Sequence, residues 1–246
     1  MKIVARGIEK SFADKRGRRQ PVLGGLDLEV APGEFVCLLG PNGCGKTTFL
    51  NLLAGFALPD GGEIMVDGRP VTGPSPHRVM IMQSYDLFPW RTVLANVEYG
   101  LEMQGWDRQR RRQKARELLA LVGLAACEEQ HPGELSGGMR QRVAIARALA
   151  VEPRVLLLDE PFGALDSLTR SRMQQELLRL WREREMTIVF VTHDINEALN
   201  LADRVAVLPS RPGAFRELVS IELPRPRELR DPACLALRDR VERLLA

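Results

Sequence analysis

The chain has little of what marks the specialised protein classes. No stretch approaches the ~18 consecutive apolar residues that a membrane span needs. If the protein works at a membrane, another chain is expected to supply the spans. The four cysteines, Cys37, Cys44, Cys127 and Cys234, have neither disulfide-framework nor metal-ligand spacing, which points to a reduced, cytoplasmic compartment. The start, MKIVARGIEK, lacks the apolar core of a secretory signal. The formal net charge is +3, too small to argue for a nucleic-acid partner. Aromatics are scarce, with 8 Phe, 3 Trp and 2 Tyr. A basic run with interleaved aromatics, as a single-strand binder uses, is missing. The runs Lys15–Arg19 and Arg108–Lys114 are read as a solvated loop and a solvated helix face.

What is present is an ordinary globular composition over 246 residues, 45% hydrophobic and 27% charged. That length can bury a proper core without staples. Leu26, Leu28 and Val30 alternate with Asp27 and Glu29, so residues 22–30 read as a half-buried strand. EFVCLL (34–39) reads as a buried strand, and Lys46 to Phe56 as a helix. Residues 62–67 and 79–83 are strand-like, with Asp67-Gly68 as a turn. From about 88 to 150 the periodicity is helical. The continuous apolar run at 155–158 reads as a central parallel strand, and residues 187–192 and 204–208 read as two more strands. A helical block is thus expected within an α/β core that begins before it and resumes after it.

Three motifs carry chemistry. GPNGCGKT (40–47) matches G-x-x-x-x-G-K-[ST] between a strand and a helix. Its glycines allow backbone N–H groups to turn around a phosphate chain, and the following helix points its positive dipole end there. Lys46 is expected to reach the β- and γ-phosphates of ATP, and Thr47 to place its hydroxyl on Mg²⁺. VLLLDE (155–160) ends an apolar strand in two acids. Asp159 is expected to hold Mg²⁺ and Glu160 to polarise the attacking water. In LSGGMRQR (135–142), Ser136 caps a helix whose first turn carries Gly137 and Gly138, which makes a second anion site.

The order of these motifs resembles that of the ATP-binding cassette (ABC) ATPases over essentially the whole chain. The resemblance implies an α/β fold of the P-loop NTPase type: a RecA-like core, an antiparallel β subdomain and an inserted helical subdomain carrying the signature. It implies a single domain over 1–246, with core segments 1–87 and 151–223, a helical subdomain at 88–150 and a short tail at 224–246. It further implies an ATP site from Phe12, Gly40, Pro41, Asn42, Gly43, Cys44, Gly45, Lys46, Thr47 and Thr48, with Phe12 stacking on adenine. Gln83 matches the Q-loop glutamine near Mg²⁺, His193 the histidine that contacts the γ-phosphate, and Asp166 the D-loop aspartate. Two copies are expected to pair head to tail, with Ser136, Gly137 and Gly138 of one facing the ATP of the other. Met139, Gly163, Cys44 and Phe12 depart from the commonest family residues without losing a catalytic position. Cys44 is expected to make the enzyme sensitive to thiol reagents.

One set of motifs and no span resemble the separate ATPase subunit of an importer, peripheral on the cytoplasmic face of the cell membrane. The finer resemblance, in DLFPWRTVLANV (86–97), DEPFGALDSLTR (159–170), THDINEAL (192–199) and LPRPR (223–227), is to nitrate, sulfonate and taurine importers. Partners are then integral-membrane permease subunits and, indirectly, a periplasmic or surface solute-binding protein, and no nucleic acid. Tyr85, Phe88 and Trp90 are expected to border the groove for the permease, or else to pack the helical block. After Pro224 only a short helix over 234–245 is expected, with no room for a regulatory domain. The alternatives are an exporter ATPase, which the PWRTV and PRPR segments disfavour, and a soluble ABC protein, which usually carries two cassettes or a long coiled coil.

Overall fold

The computed structural model describes residues 3–82, 84, 86–210 and 213–245. Strands β1 (Ile3–Ala13) and β2 (Arg19–Val30) form a long antiparallel pair. β3 (Phe35–Leu39) leads into α1 (Lys46–Ala54). Then follow β4 (Gly61–Val66), β5 (Arg69–Pro70) and β6 (Arg78–Ile81). Helices α2 (Val93–Met103), α3 (Arg108–Leu121) and α4 (Gly137–Ala150) come next. The chain closes with β7 (Val155–Asp159), α5 (Ser167–Arg184), β8 (Thr187–Thr192), α6 (Ile195–Leu201), β9 (Arg204–Val207), β10 (Glu217–Ser220) and α7 (Pro232–Leu245).

Two sheets result. One is antiparallel in the order β2-β1-β4-β5, and the other runs β10-β9-β3-β8-β7-β6. In the second, β9, β3, β8, β7 and β6 are parallel and β10 is an antiparallel edge. Both faces of its central strands are covered, so β3, β7 and β8 are buried at every residue. That is why they read as unbroken apolar runs. The two-residue alternation of β3 sorts its side chains between two cores. Phe35, Cys37 and Leu39 join residues of α2, α4, α5 and α6. Val36 and Leu38 join Phe49 and Leu53 of α1 and Ile3 and Ile8 of the antiparallel sheet. The α/β architecture expected from the sequence is the one found.

Several boundaries differ. α1 ends at Ala54, not Phe56, because Gly55 at φ 83° turns into the left-handed region and its N–H closes on Asn51 and Leu52. The helical pattern expected from about 88 begins at Val93, after Thr92 caps it by accepting from Ala95 N–H. The C-terminal helix begins at Pro232 and packs Cys234 and Val241 inward. β10 was not read from sequence; four residues with one buried apolar side chain, Val219, give no usable period. α6, seven residues long, was likewise too short to stand out.

The arginine-rich start of α3 is capped by Asp107 and matched by acids. Arg111 and Arg112 lie within 3.9 Å of Glu98 or Glu102, and Arg116 forms a two-pronged pair with Glu128. Among the described residues, no helix is long and apolar enough to cross a membrane.

Candidate nucleotide site

The parallel sheet places its chemistry at the carboxyl ends of its strands, where open α/β sheets bind ligands. β3 ends at the loop Gly40–Gly45, β7 ends at Asp159, and β8 ends one residue before His193. In the strand order, β8 lies between β3 and β7. Segments far apart in sequence therefore meet at one edge.

The loop delivers Lys46 at the first position of α1, 6% exposed, with Nζ donating to the carbonyls of Gly40 and Pro41 at 2.7 and 2.9 Å. Gly45 caps α1 at φ 103°, a conformation that an L side chain resists, and a Cβ there would stand 2.5 Å from a Leu23 methyl. The cleft holds about 500 Å³ and is lined by Phe12, Asn42, Lys46, Thr47, Glu160 and His193, among others. That volume suits a nucleotide-sized ligand. Phe12 is 48% exposed, and Lys10 Nζ stands 5.6 Å from its ring centroid. It is thus an open ring at the mouth, not a core residue.

The two acids have different settings. Asp159 is 4% exposed, and burial pushes its carboxyl up. The Thr47 hydroxyl and Lys46 pull the other way, while the charge of Glu160 adds to the rise. Glu160 takes a positive φ of 47°, and its N–H donates to Val191 O at 3.0 Å, tying it to β8. Its Oε1 lies 3.2 Å from Nδ1 of His193, whose side chain is 62% exposed. Gln141 on α4, not singled out in the sequence, donates to Glu160 O at 3.4 Å. Its signal would have been its place about one turn into the Ser136-capped helix, facing inward.

Ser136 accepts from Met139 N–H at 3.3 Å and caps α4, as expected. Ser136, Gly137 and Gly138 do not line the cleft of their own chain. Gly138 instead packs against the segment before α5, where an added Cβ would come within 3.3 Å of Leu165 and Ala164. Asp166 caps α5, accepting from Thr169 N–H at 3.0 Å, a contact that holds its carboxyl low. Cys44 is 6% exposed, and burial pushes its thiol up despite the nearby Lys46. Neither access nor acidity favours a thiol reagent there, contrary to the sequence expectation.

Gln83 and Tyr85 lie outside the described residues. Phe88 meets Tyr99 edge-on at 4.6 Å, and its backbone is held by Asn96. Trp90 is 73% exposed. The packing reading of this aromatic segment therefore fits Phe88, while Trp90 stays available to a partner.

Residues 23–163 match the family model described as ABC transporter. The chain is 50% identical over 210 residues to the taurine import ATP-binding protein TauB of Yersinia pestis, covering 85% of this chain and 82% of that protein. It is 50% identical over 206 residues to the nitrate import ATP-binding protein NrtC of Synechococcus elongatus, covering 82% of this chain and 31% of that longer protein. Among solved structures, the dimeric post-hydrolysis state of the ATP-binding cassette MJ0796 bound to ADP and Pi superposes with a TM-score of 0.83 at 32% identity, over 90% of this chain and 99% of that one. With a phosphate loop, two acids and a histidine gathered at one cleft, and with these likenesses across most of its length, the chain belongs to the ABC transporter family and is one of its ATP-binding ATPases.

Proposed function

We propose that the protein is the ATPase subunit of an importer that takes up a small solute of the nitrate, sulfonate and taurine class. The observation that carries the reading is the divided site. The cleft gathers Lys46, Thr47, Glu160 and His193, while the capped, glycine-rich helix start at Ser136 lies elsewhere on the chain. A second copy, placed head to tail, brings Ser136, Gly137 and Gly138 onto the nucleotide, with Asp166 at the seam. The dimeric state of the cassette named above supports that arrangement. In this reading, residues 1–87 and 151–223 form the nucleotide-binding core, 88–150 the helical unit and 224–246 a short tail.

The geometry supports these roles. Phe12 offers its open face to the adenine. Backbone N–H groups of 42–48, at the loop and the start of α1, receive the phosphates, with Lys46 close by. Asp159 and the Thr47 hydroxyl, already in contact, are two hard oxygen donors side by side, a set that suits Mg²⁺ completed by phosphates and water. Bound there, Mg²⁺ would neutralise charge on the phosphates. Glu160 orients the attacking water, and His193, in contact with Glu160, faces the γ-phosphate. Gln83 is assigned beside Mg²⁺ by its sequence match. Positioning and charge stabilisation supply most of the acceleration. Closing the dimer on ATP drives permease subunits at the cytoplasmic face of the membrane, fed by a solute-binding protein.

The test is Glu160→Gln. It is expected to bind ATP as well as wild type, to lose turnover about a hundredfold or more, and to form an ATP-dependent dimer by size-exclusion chromatography. Hydrolysis at near wild-type rate would refute the assignment of Glu160.

A further inference from the structure

A buried polar bridge joins α5 to the turn that carries His193. Gln174, two turns into α5, is 8% exposed. Its Nε2 donates to Glu197 Oε1 at 3.0 Å, and its own Oε1 accepts from Asn200 Nδ2 at 3.2 Å. Glu197 sits in the first turn of α6 and is also 8% exposed. Its carboxylate accepts from the Thr192 hydroxyl. The same hydroxyl oxygen accepts from Asp194 N–H at 3.0 Å, and Asp194 caps α6. His193 is the residue between them. The backbone on both sides of His193 is thus fastened, while its imidazole projects toward Glu160.

The bridge is a costly way to hold two helices together. Burial pushes the Glu197 carboxyl up, and Thr192 and Gln174 only partly restore it. Apolar side chains of the same volume would join α5 to α6 at less cost, but they would leave the direction of the turn unspecified. Fixed donors and acceptors set both distance and angle. α5 begins at Ser167, just after its cap Asp166, the residue placed above at the seam between copies. One rigid helix therefore runs from that seam to the bridge.

We propose that Gln174 and Glu197 are positioning residues for ATP hydrolysis, which lock the Thr192–Asp194 turn to α5 and so set the imidazole of His193 by the position of that helix. The inference rests on the reading of His193 given under Proposed function.

The experiment is steady-state ATPase kinetics on the full chain, per folded molecule, with thermal melts alongside. Gln174→Leu and Glu197→Gln are each expected to lower kcat about tenfold, ~1.4 kcal/mol of barrier, with KM for ATP within twofold. The double swap Gln174→Glu with Glu197→Gln keeps the pattern, because the amide at 197 can donate to the carboxylate at 174 and still accept from Thr192. It is expected to recover kcat to within threefold of wild type. Thr192→Val keeps a strand-favouring shape but loses the hydroxyl, and is expected to lose kcat as the single variants do. Thr192→Ser is expected to keep it. A purely structural bridge would lower the melting temperature and leave kcat alone.

Single variants with kcat within twofold of wild type, a change in KM alone, or a swap no better than the single variants would overturn the proposal. Should the bridge variants fail to fold, full kcat in Thr192→Val overturns it by itself. His193→Ala separates the two readings. If it loses turnover while the bridge variants do not, only this inference fails. If it turns over normally, the reading of the site fails and this inference with it.

Discussion

Gly45→Ala tests whether the shape of the phosphate loop, and not its residue types alone, makes the site. Gly45 stands at φ 103° immediately before α1. Placing an L residue at positive φ costs about 1–2 kcal/mol. The new methyl would meet a Leu23 methyl at 2.5 Å and Val22 O at 3.2 Å. The carbonyl belongs to the backbone of β2 and cannot swing aside. The Leu23 side chain can, but it is 2% exposed, so its displacement disturbs packing by about 1 kcal/mol or more. Reduced freedom of the unfolded chain returns about 0.4–1 kcal/mol. The net loss is about 1–3 kcal/mol, a fall in melting temperature of roughly 3–10 °C for a chain this long. Because α1 is re-aimed, ATP affinity is expected to fall by about tenfold or more, on the scale of 1.4 kcal/mol. Thermal melts without nucleotide and equilibrium ATP binding read the two effects. Gly133→Ala, where an added Cβ has nothing within 4 Å, is the control and is expected to change little. Melting within 2 °C of wild type together with intact ATP affinity for Gly45→Ala would refute the reasoning.

Three further outcomes are expected. Asp159→Asn removes a buried charge whose carboxyl is pushed up, first by burial. The folded state then binds its proton more readily than the unfolded chain does, so this group lowers stability at neutral pH and ceases to do so as pH falls through its raised value. Without nucleotide, the variant is expected to melt higher than wild type at pH 7.5, with the advantage shrinking on acidification, while hydrolysis is lost. An advantage that grows on acidification would contradict the sign. Arg227 is 8% exposed, held at a pKa of about 10 chiefly by burial, and donates to Leu199, Ala202, Ile221 and Leu223 carbonyls. Arg227→Met leaves these acceptors buried and is expected to cost about 3 kcal/mol, read by denaturant unfolding. An unchanged midpoint would show that they find other partners. Trp90→Ala is expected to leave melting unchanged, since the ring is 73% exposed, and to weaken co-purification with the permease; an equal yield of complex would remove Trp90 from that interface.

The sequence by itself determined the groups that react and the local elements that present them. The spacing of Gly40, Gly45, Lys46 and Thr47 encodes a turn and a helix start. The apolar run before Asp159 and Glu160 encodes a buried strand, and Ser136 before two glycines encodes a cap. Each of these is written within a few consecutive residues, which is why each was legible. Tertiary structure decided what meets what. Strand order brings His193 to 3.2 Å from Glu160, and no period along the chain contains that distance. The same packing buries the Cys44 thiol in a loop whose sequence makes it look exposed. It turns Phe88 onto Tyr99 and leaves Trp90 open, although the two are near neighbours in sequence. It also closes Gln174 on Glu197, a contact between residues 23 positions apart that forms only when α5 and α6 are packed together.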